Sequence, residues 1–339
     1  MRCYEIHQFT PDLTANMRLT ERPDPVPDAH DVLVRMRAAS LNFRDYLTIV
    51  GEYNPRYRLP LIPLSDGAGE VVAVGAAVSE FKPGDRVVGL FAPDWQAGEG
   101  TVSMLRNTLG GPQDGTLSEL RNFPEHGLLK IPDWMSFTEA ASLPCAALTA
   151  WSALFTQGNL QSGDTILLLG TGGVSIAALQ FARTAGARII ITSSSDAKLE
   201  RARELGAHET INYVDRPNWS REVRKVTGMR GVDMVIEVGG AGTLEHSLKS
   251  VRPFGQVSLI GILAGREEPV NLIPILMQNV RVQGVIVGHR QSFEQMLRAI
   301  DMHSIRPVID RVFPFEESAE ALAYLRDGKH FGKICIEFN

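Results

Sequence analysis

Residues 40–53, SLNFRDYLTIVGEY, combine several chemically active side chains with apolar ones. An amide can hydrogen-bond to a substrate oxygen, and a phenol can also release a proton. The same mixture suits a structural corner in which every polar group is satisfied. At this point a structural corner and the wall of a reaction site are both open. The polar members are Asn42, Arg44, Asp45, Tyr46 and Tyr53.

A glycine-rich turn, GTGGVS at 170–175, is the second candidate for chemistry. It follows an apolar strand pattern, DTILLLG, and opens a helix pattern. Glycine lets the backbone approach a pyrophosphate closely, and the helix N-terminus supplies N–H donors and partial positive charge. Ser175 stands at the third glycine position of this dinucleotide fingerprint, and the alternative is a turn without a ligand. The residues expected to contact a dinucleotide are Gly170, Thr171, Gly172, Gly173 and Val174.

Serines follow the next strand pattern, ARIIITSSS, where an NAD-preferring site would carry an acid for the ribose 2′-hydroxyl. The hydroxyls of Ser193 and Ser194 and the ammonium of Lys198 can bind a 2′-phosphate instead. This favours NADPH over NADH, although Asp196 would weaken the preference unless it faces away. Tyr213, at the end of HETINY, is a further expected cofactor contact.

Two sequence textures indicate the elements that position these groups. Short strand patterns at 31–39, 67–75 and 81–90, broken by glycine and proline, predict a small and mostly antiparallel barrel. The stretch 92–118 is long for a loop, so it is either functional or a surface excursion. From about residue 126 strands and helices alternate, which predicts an α/β fold with a parallel sheet covered on both faces.

The composition excludes several classes of protein. The 339 residues suggest about two domains, and a net charge of −5 argues against nucleic acid and against an anionic membrane as partners. No stretch approaches the roughly 18 apolar residues of a membrane span, and no signal-peptide pattern is present. Cys3, Cys145 and Cys335 are far apart, as expected for reduced thiols. We therefore expect a cytoplasmic protein that acts on a small molecule.

The order of segments resembles the medium-chain dehydrogenase/reductase superfamily over nearly the whole chain. The matching segments are GAGEVVAVGAAVSEFKPGDRV, LPCAALTAWSAL, LLLGTGGVS, ITSSSDAKLERARELGA, INY and HFGKICI. The resemblance implies a GroES-like β-barrel catalytic domain over 1–125 and a Rossmann domain with a doubly wound parallel sheet over 126–265. A return segment over 266–339 would carry dimer-edge strands and complete the catalytic domain.

Many members of this family hold a catalytic zinc ion with a cysteine, a histidine and a second cysteine. Here the first of those positions is Asn42, and Ser65 stands in place of the histidine. Only Cys145 matches a ligand position, and zinc needs three protein donors of suitable type. We therefore expect no metal, and the resemblance favours the zinc-free quinone reductase and enoyl reductase branches.

The run LNFRDYLTIVGEY is similar to a run in enoyl reductase modules of polyketide synthases. The resemblance implies that Tyr53 is a proton donor near the nicotinamide, since a phenol is protonated at neutral pH. The alternatives are a tyrosine without chemistry and proton donation by water. Asn42 would bond to the cofactor or the substrate oxygen, whereas structural roles are expected for Arg44 and Asp45. The resemblance also places four residues near the cofactor: Gly239, Gly261, Gly288 and Lys333.

The sequence thus predicts a zinc-independent, NADPH-dependent oxidoreductase that transfers hydride to a quinone or an α,β-unsaturated carbonyl. One alternative is a zinc-free alcohol dehydrogenase or carbonyl reductase using NAD or NADP. Another is a cofactor-binding structural or sensor protein with little turnover. VRVQGVIVG, at 280–288, resembles the edge strand through which family members form homodimers.

Overall fold

The structure is a computed structural model and describes residues 1–338. The chain separates into two compact units, Met1–Leu148 together with the chain from Val287 onward, and Thr149–Ile286. The strands are β1 Arg2–Ile6, β2 Met17–Glu21, β3 Asp31–Ser40, β4 Asp66–Val74, β5 Arg86–Gly89, β6 Leu120–Pro124, β7 Leu128–Lys130, β8 Thr165–Leu169, β9 Arg188–Ser193, β10 Glu209–Asn212, β11 Val232–Glu237, β12 Val251–Leu259, β13 Arg281–Gly284, β14 Ile309–Pro314 and β15 Lys333–Glu337.

The α-helices are α1 Leu13–Asn16, α2 Phe43–Ile49, α3 Val102–Arg106, α4 Phe137–Ala141, α5 Leu148–Trp151, α6 Gly173–Thr184, α7 Asp196–Glu204, α8 Trp219–Val226, α9 Ala241–Ser250, α10 Ile273–Met277, α11 Arg290–His303 and α12 Ser318–Arg326. Short 3₁₀ turns cover Glu125–Gly127 and Phe315–Glu317, and π-helical turns cover Leu143–Ala147 and Ser152–Thr156. Within residues 1–338 no helix is both long and apolar enough to cross a membrane.

The first unit is built on a sheet in the order β14-β15-β3-β4-β5-β7, with β6 paired to the N-terminal half of β3. Its pairs are antiparallel except for β14 with β15. Along β3 the side chains alternate between the core and the outer face, as its period-two pattern predicts. Val32, Val34 and Met36 enter the core with Phe123 and Ile336.

The second unit is a six-stranded parallel sheet in the order β10-β9-β8-β11-β12-β13. Counted within the unit, this order is 3-2-1-4-5-6, which defines the doubly wound dinucleotide-binding sheet. Its central strands are buried throughout, because helices cover both faces. The order reverses between β8 and β11, and ligands of such sheets bind beyond the strand ends at that point.

The segment 137–156 differs from the single long helix that its alanine-rich pattern predicts. It is broken into α4, a π turn, α5 and a second π turn. Pro144 has no N–H to continue the ladder of hydrogen bonds, so the turn that contains it widens. The predicted domain bounds at 125 and 265 stay a prediction, whereas the compact units change at 148 and 286.

The stretch 92–118 contributes to the core of the first unit and includes α3. Trp95, Leu109 and Leu117 are buried. Gly110 has φ +68°, and an added Cβ there would lie 2.7 Å from the backbone of Leu64. Residues 108–111 are therefore packed closely against the chain just before β4, whereas α3 has no buried residue and lies on the surface.

Candidate active site

Three distant parts of the first unit bring Asn42, Asp66 and Lys333 together. Strand β3 ends at Ser40, which pairs with Asp66 at the start of β4. Strand β15 runs antiparallel on the other side of β3 and begins with Lys333. The end of one strand and the beginnings of its two neighbours therefore meet, and all three side chains are buried.

A hydrogen-bonded chain links these side chains. The Lys333 ammonium donates to the Leu41 carbonyl at 2.5 Å and to Asn42 Oδ1 at 2.7 Å. Asn42 Nδ2 donates to Asp66 Oδ2 at 2.8 Å. Because an ammonium can only donate and a carboxylate accepts, the two partners determine which way the amide faces. The sequence singled out Asn42, and the structure shows that Lys333 and Asp66 hold it.

Burial makes the Asp66 carboxyl a weaker acid than an exposed aspartate. Burial raises its pKa to about 6, although Lys333 and Asn42 oppose the shift. Lys333 Nζ lies 3.8 Å from Asp66 Oδ2, close enough to favour the ionised carboxylate. Asp66 was not among the predicted site residues, and its only sequence signal is its place directly after Ser65.

Asp45 has the structural role that was expected for it. Its carboxylate accepts from the Asn42 N–H at 2.8 Å and completes a capping box at the start of α2. This bond holds the backbone of Asn42 while Lys333 and Asp66 hold its side chain. The Asn42 amide is consequently constrained from both ends.

The donors at the family's zinc positions do not fit a zinc ion. Asn42 and Ser65 offer an amide and a hydroxyl, and the amide oxygen already accepts from Lys333. Burial, reinforced by Asp66, raises the pKa of the Cys145 thiol and disfavours the thiolate that zinc requires. In the part of the chain that the structure describes, no three His, Cys, Asp or Glu side chains are grouped so as to hold a metal.

Tyr53 lies just beyond α2 and is 43% exposed. Its backbone N–H donates to the Leu47 carbonyl at 3.0 Å, which fixes the turn that carries it. The Arg44 guanidinium lies 4.9 Å from the centre of the Tyr53 ring. The phenol is thus an accessible group beside a cation in the first unit.

The predicted cofactor turn forms the junction between β8 and α6. Gly170 has φ +70°, and an added Cβ would meet nothing within 4 Å. Helix α6 begins at Gly173 and has no side-chain cap, so its first N–H groups remain available to an anion. Ser175 donates to the Leu169 carbonyl at 2.6 Å and ties the helix to β8. Thr171 and Val174 lie on the same turn.

The serines predicted to favour NADP lie at the end of β9 and the start of α7. Ser193 is buried at the strand end and Ser194 is exposed beyond it. Ser195 caps α7, and Asp196 accepts from the Asn212 amide at 2.9 Å. Asp196 therefore has a partner of its own. Lys198 lies in the first turn of α7, and Tyr213 follows β10 and is 41% exposed.

Two more predicted glycines lie at strand ends of the parallel sheet. Gly239 follows β11, and Gly261 follows β12. Gly261 is closely packed, because an added Cβ there would lie 2.4 Å from the Val238 carbonyl oxygen. Gly288 and Lys333 belong to the first unit instead. Sequence reasoning missed Glu237, which is buried and accepts from the N–H groups of Gly239 and Gly240 at 2.7 and 3.0 Å.

Comparisons with known proteins agree with this architecture. The family described as alcohol dehydrogenase GroES-like domain matches residues 28–133, and the one described as zinc-binding dehydrogenase matches 173–302. The second match contains none of Asn42, Ser65 and Cys145.

Individual relatives span nearly the whole chain. A zinc-type alcohol dehydrogenase-like protein of Schizosaccharomyces pombe is 42% identical over 91% of both chains. Acryloyl-coenzyme A reductase of Metallosphaera sedula is 30% identical over 93% of this chain and 95% of its own. A crystal structure of an NAD-dependent alcohol dehydrogenase has a TM-score of 0.91 and 32% identity, and the match covers 100% of both chains.

The GroES-like unit and the doubly wound sheet define a two-part oxidoreductase. The chain belongs to the medium-chain dehydrogenase/reductase superfamily. The predicted fold class, α/β with a GroES-like domain and a Rossmann domain, is confirmed.

Proposed function

We propose that this protein is a zinc-independent, NADPH-dependent reductase that transfers hydride to an α,β-unsaturated carbonyl or a quinone. The observation that carries the proposal is the buried Lys333–Asn42–Asp66 chain. It fills the position of a zinc ligand with an amide whose oxygen is already bonded to an ammonium.

The chemistry of the acceptor supports this substrate class. Oxidation of an alcohol needs a group that takes or stabilises the hydroxyl proton, which zinc does in metal-dependent relatives. A conjugated carbonyl or a quinone spreads the incoming charge into an enolate or a hydroquinone anion. Such an anion needs only hydrogen bonds and a proton, which side chains can provide. One relative is named acryloyl-coenzyme A reductase, and acryloyl-coenzyme A contains the same type of activated double bond.

The cofactor-binding residues and the proton donors have separate roles in this proposal. A bound nicotinamide cofactor supplies the hydride. Residues 170–174 hold its pyrophosphate at the N-terminus of α6. Asn42 Nδ2 has a second hydrogen, which within the described residues reaches only Ser65 Oγ at 3.4 Å, so it is available to a substrate oxygen. Tyr53 or water then gives the proton.

The preference for NADPH rests on Ser193, Ser194 and Lys198. Their hydroxyls and ammonium can bind a 2′-phosphate, and the carboxylate of Asp196 is engaged by Asn212. NADH is the competing candidate, because one structural neighbour is described as NAD-dependent. Names of relatives also favour the second candidate, a zinc-free alcohol dehydrogenase or carbonyl reductase.

A steady-state assay with purified protein tests the proposal. NADPH and NADH oxidation are followed with a panel of enones, enals and quinones, and alcohols are offered with NADP and NAD, each with and without a chelator. We expect chelator-insensitive NADPH oxidation with at least one conjugated acceptor. We also expect NADPH to bind roughly tenfold more tightly than NADH in a fluorescence titration.

Other outcomes identify the alternatives. Alcohol oxidation without turnover of any conjugated acceptor would identify the dehydrogenase. Tight NADPH binding with no turnover on either panel would indicate a sensor or structural protein. Loss of activity with chelator, restored by zinc, would contradict the zinc-independent mechanism.

A further inference from the structure

The Arg44 side chain is more deeply placed than a surface cation. Only 9% of it is exposed. Its guanidinium lies over two aromatic rings, 4.9 Å from the centre of Tyr53 and 4.9 Å from the centre of Phe91. Phe91 is buried whereas Tyr53 is exposed, so the cation separates the core from an accessible phenol.

Backbone oxygens of the stretch 92–118 hold the guanidinium in this place. Arg44 donates to the Leu109 carbonyl at 2.9 Å, and its other terminal nitrogen reaches the Gly111 carbonyl and Thr108 Oγ1, each at 3.4 Å. These acceptors lie at 108–111, far along the chain from Tyr53, so Arg44 connects two separate segments. Its orientation is consequently set by two backbone carbonyls and one buried hydroxyl.

The carboxylate of Asp45 does not remove the effect of this cation. It lies 3.6 Å from Arg44, but one of its oxygens is used by the Asn42 N–H. Burial disfavours the charge on Arg44, yet the attraction of Asp45 and of the phenols leaves its pKa above the ordinary value. A permanent positive charge therefore faces the Tyr53 ring.

We propose that Arg44 is a positioning residue for proton transfer, holding the Tyr53 ring in place and stabilising the negative charge left on it. This inference rests on the proposed function. Hydride from NADPH reduces the acceptor and leaves an enolate or hydroquinone anion. The Tyr53 O–H bond then breaks, its electron pair stays on the phenol oxygen, and the proton bonds to that anion. Water returns a proton to Tyr53, and NADP⁺ leaves.

A double-mutant cycle tests whether Arg44 acts through Tyr53. Wild type, Tyr53→Phe, Arg44→Gln and the double variant are compared for kcat and for the KM of NADPH with one conjugated acceptor. We expect each single change to lower kcat roughly tenfold or more, and Arg44→Gln to have no further effect once Tyr53 is phenylalanine. Arg44→Lys, which keeps the charge, should recover part of kcat, while the KM of NADPH stays within about twofold.

Arg86 offers a matched control in the same unit. Its guanidinium binds three backbone carbonyls, of Pro132, Asp133 and Met135, where Arg44 binds two, and it lies 4.6 Å from the centre of the Phe137 ring. Arg86→Gln should lower the midpoint of thermal unfolding as Arg44→Gln does, without lowering kcat.

Two results would overturn the inference, and they differ from failure of the proposed function. If Arg44→Gln lowers kcat by the same factor with and without the Tyr53 hydroxyl, Arg44 does not act through Tyr53. If Tyr53→Phe keeps full kcat, the proton comes from elsewhere and the reductase proposal survives alone. If the wild-type protein does not oxidise NADPH with any acceptor on the panel, both the reductase proposal and the role of Arg44 are contradicted. If Arg44→Gln does not fold, the same cycle with Arg44→Met, which also removes the charge, decides.

Discussion

At the scale of single residues, the site depends on one buried amide whose two ends are held by opposite charges. Lys333 binds the oxygen of Asn42 and Asp66 binds its nitrogen. A buried carboxylate near a buried ammonium persists only when the remaining polar groups are bonded. Here the Leu41 carbonyl and the Ser65 hydroxyl supply further bonds to the two charges.

The acidity of Asp66 predicts an effect on stability. Its carboxyl ionises near 3.8 in the unfolded chain and near 6 in the folded protein. Between these values the folded state binds the proton more tightly, so this group lowers the free energy of unfolding as the pH rises from about 4 to 6. The free energy of unfolding of Asp66→Asn, relative to that of wild type, should therefore rise by about 3 kcal/mol over that pH range. Urea unfolding at several pH values measures it. A difference independent of pH would contradict this assignment.

Asp233 provides a control of opposite sign. Burial would raise its pKa, but hydrogen bonds from Arg230, the Thr165 N–H and Arg252 hold the pKa at about 2. The unfolded state binds the proton more tightly there, so this group's stabilising effect is present above about 3.8 and is lost as the pH falls toward 2. Asp233→Asn should lose stability relative to wild type at neutral pH, and the loss should shrink in acid.

At the scale of elements, the junction between β11 and α9 depends on Glu237. One oxygen accepts from Gly239, Gly240 and the Thr243 hydroxyl, and the other accepts from the Ser247 hydroxyl. Gly240 has φ +81°, so the turn requires glycine there and relies on these bonds for its shape. A single carboxylate thus joins the end of a strand to the first two turns of a helix.

Glu237→Ala should leave buried N–H groups without partners and destabilise the protein by about 3 kcal/mol. We also expect weaker NADPH binding, because Gly239 is a predicted cofactor contact. Glu237→Gln should cost far less, since its oxygen can serve the backbone N–H groups while Ser247 turns to accept from the amide. Thermal unfolding and fluorescence titration with NADPH measure the two effects. Equal losses in both variants would contradict this account of the junction.

The elements themselves were largely predictable from local pattern. Period-two burial along β3 and the strand–glycine–helix run at 165–184 appear in the structure where the sequence indicated them. The break in the helix over 137–156 was not predicted, because a favourable alanine-rich composition concealed the effect of Pro144. The close packing of 108–111 was also missed, since loops carry no periodicity.

At the scale of the whole molecule, the second unit exposes several large apolar side chains between residues 272 and 282. Strand β13 is a sheet edge, and Val282 on it is 38% exposed. The exposed apolar residues of the neighbouring segment are Leu272 at 67%, Ile273 at 64%, Leu276 at 75% and Met277 at 71%. An open strand edge beside such a patch favours pairing with a second copy.

We therefore expect a homodimer in solution. Leu276→Asp should shift sedimentation velocity toward the monomer, because an unpaired carboxylate would be buried in the contact. Met302→Asp is the control, since Met302 is 81% exposed on α11 of the other unit and should not matter. A wild-type monomer, or a dimer unaffected by Leu276→Asp, would contradict the predicted contact.

The sequence alone determined the fold class and the strand–glycine–helix turn at 170–174, and it singled out Asn42 and Tyr53 as candidate site residues. Each depends on residues close together in the chain, where hydrogen-bonding period, glycine geometry and strand pattern act locally. Only the tertiary structure decided that Lys333 binds Asn42 and that Arg44 spans Tyr53 and the backbone at 109–111. Those contacts join residues 291 positions apart and 65 positions apart, and strand pairing, not local pattern, brings the first pair together.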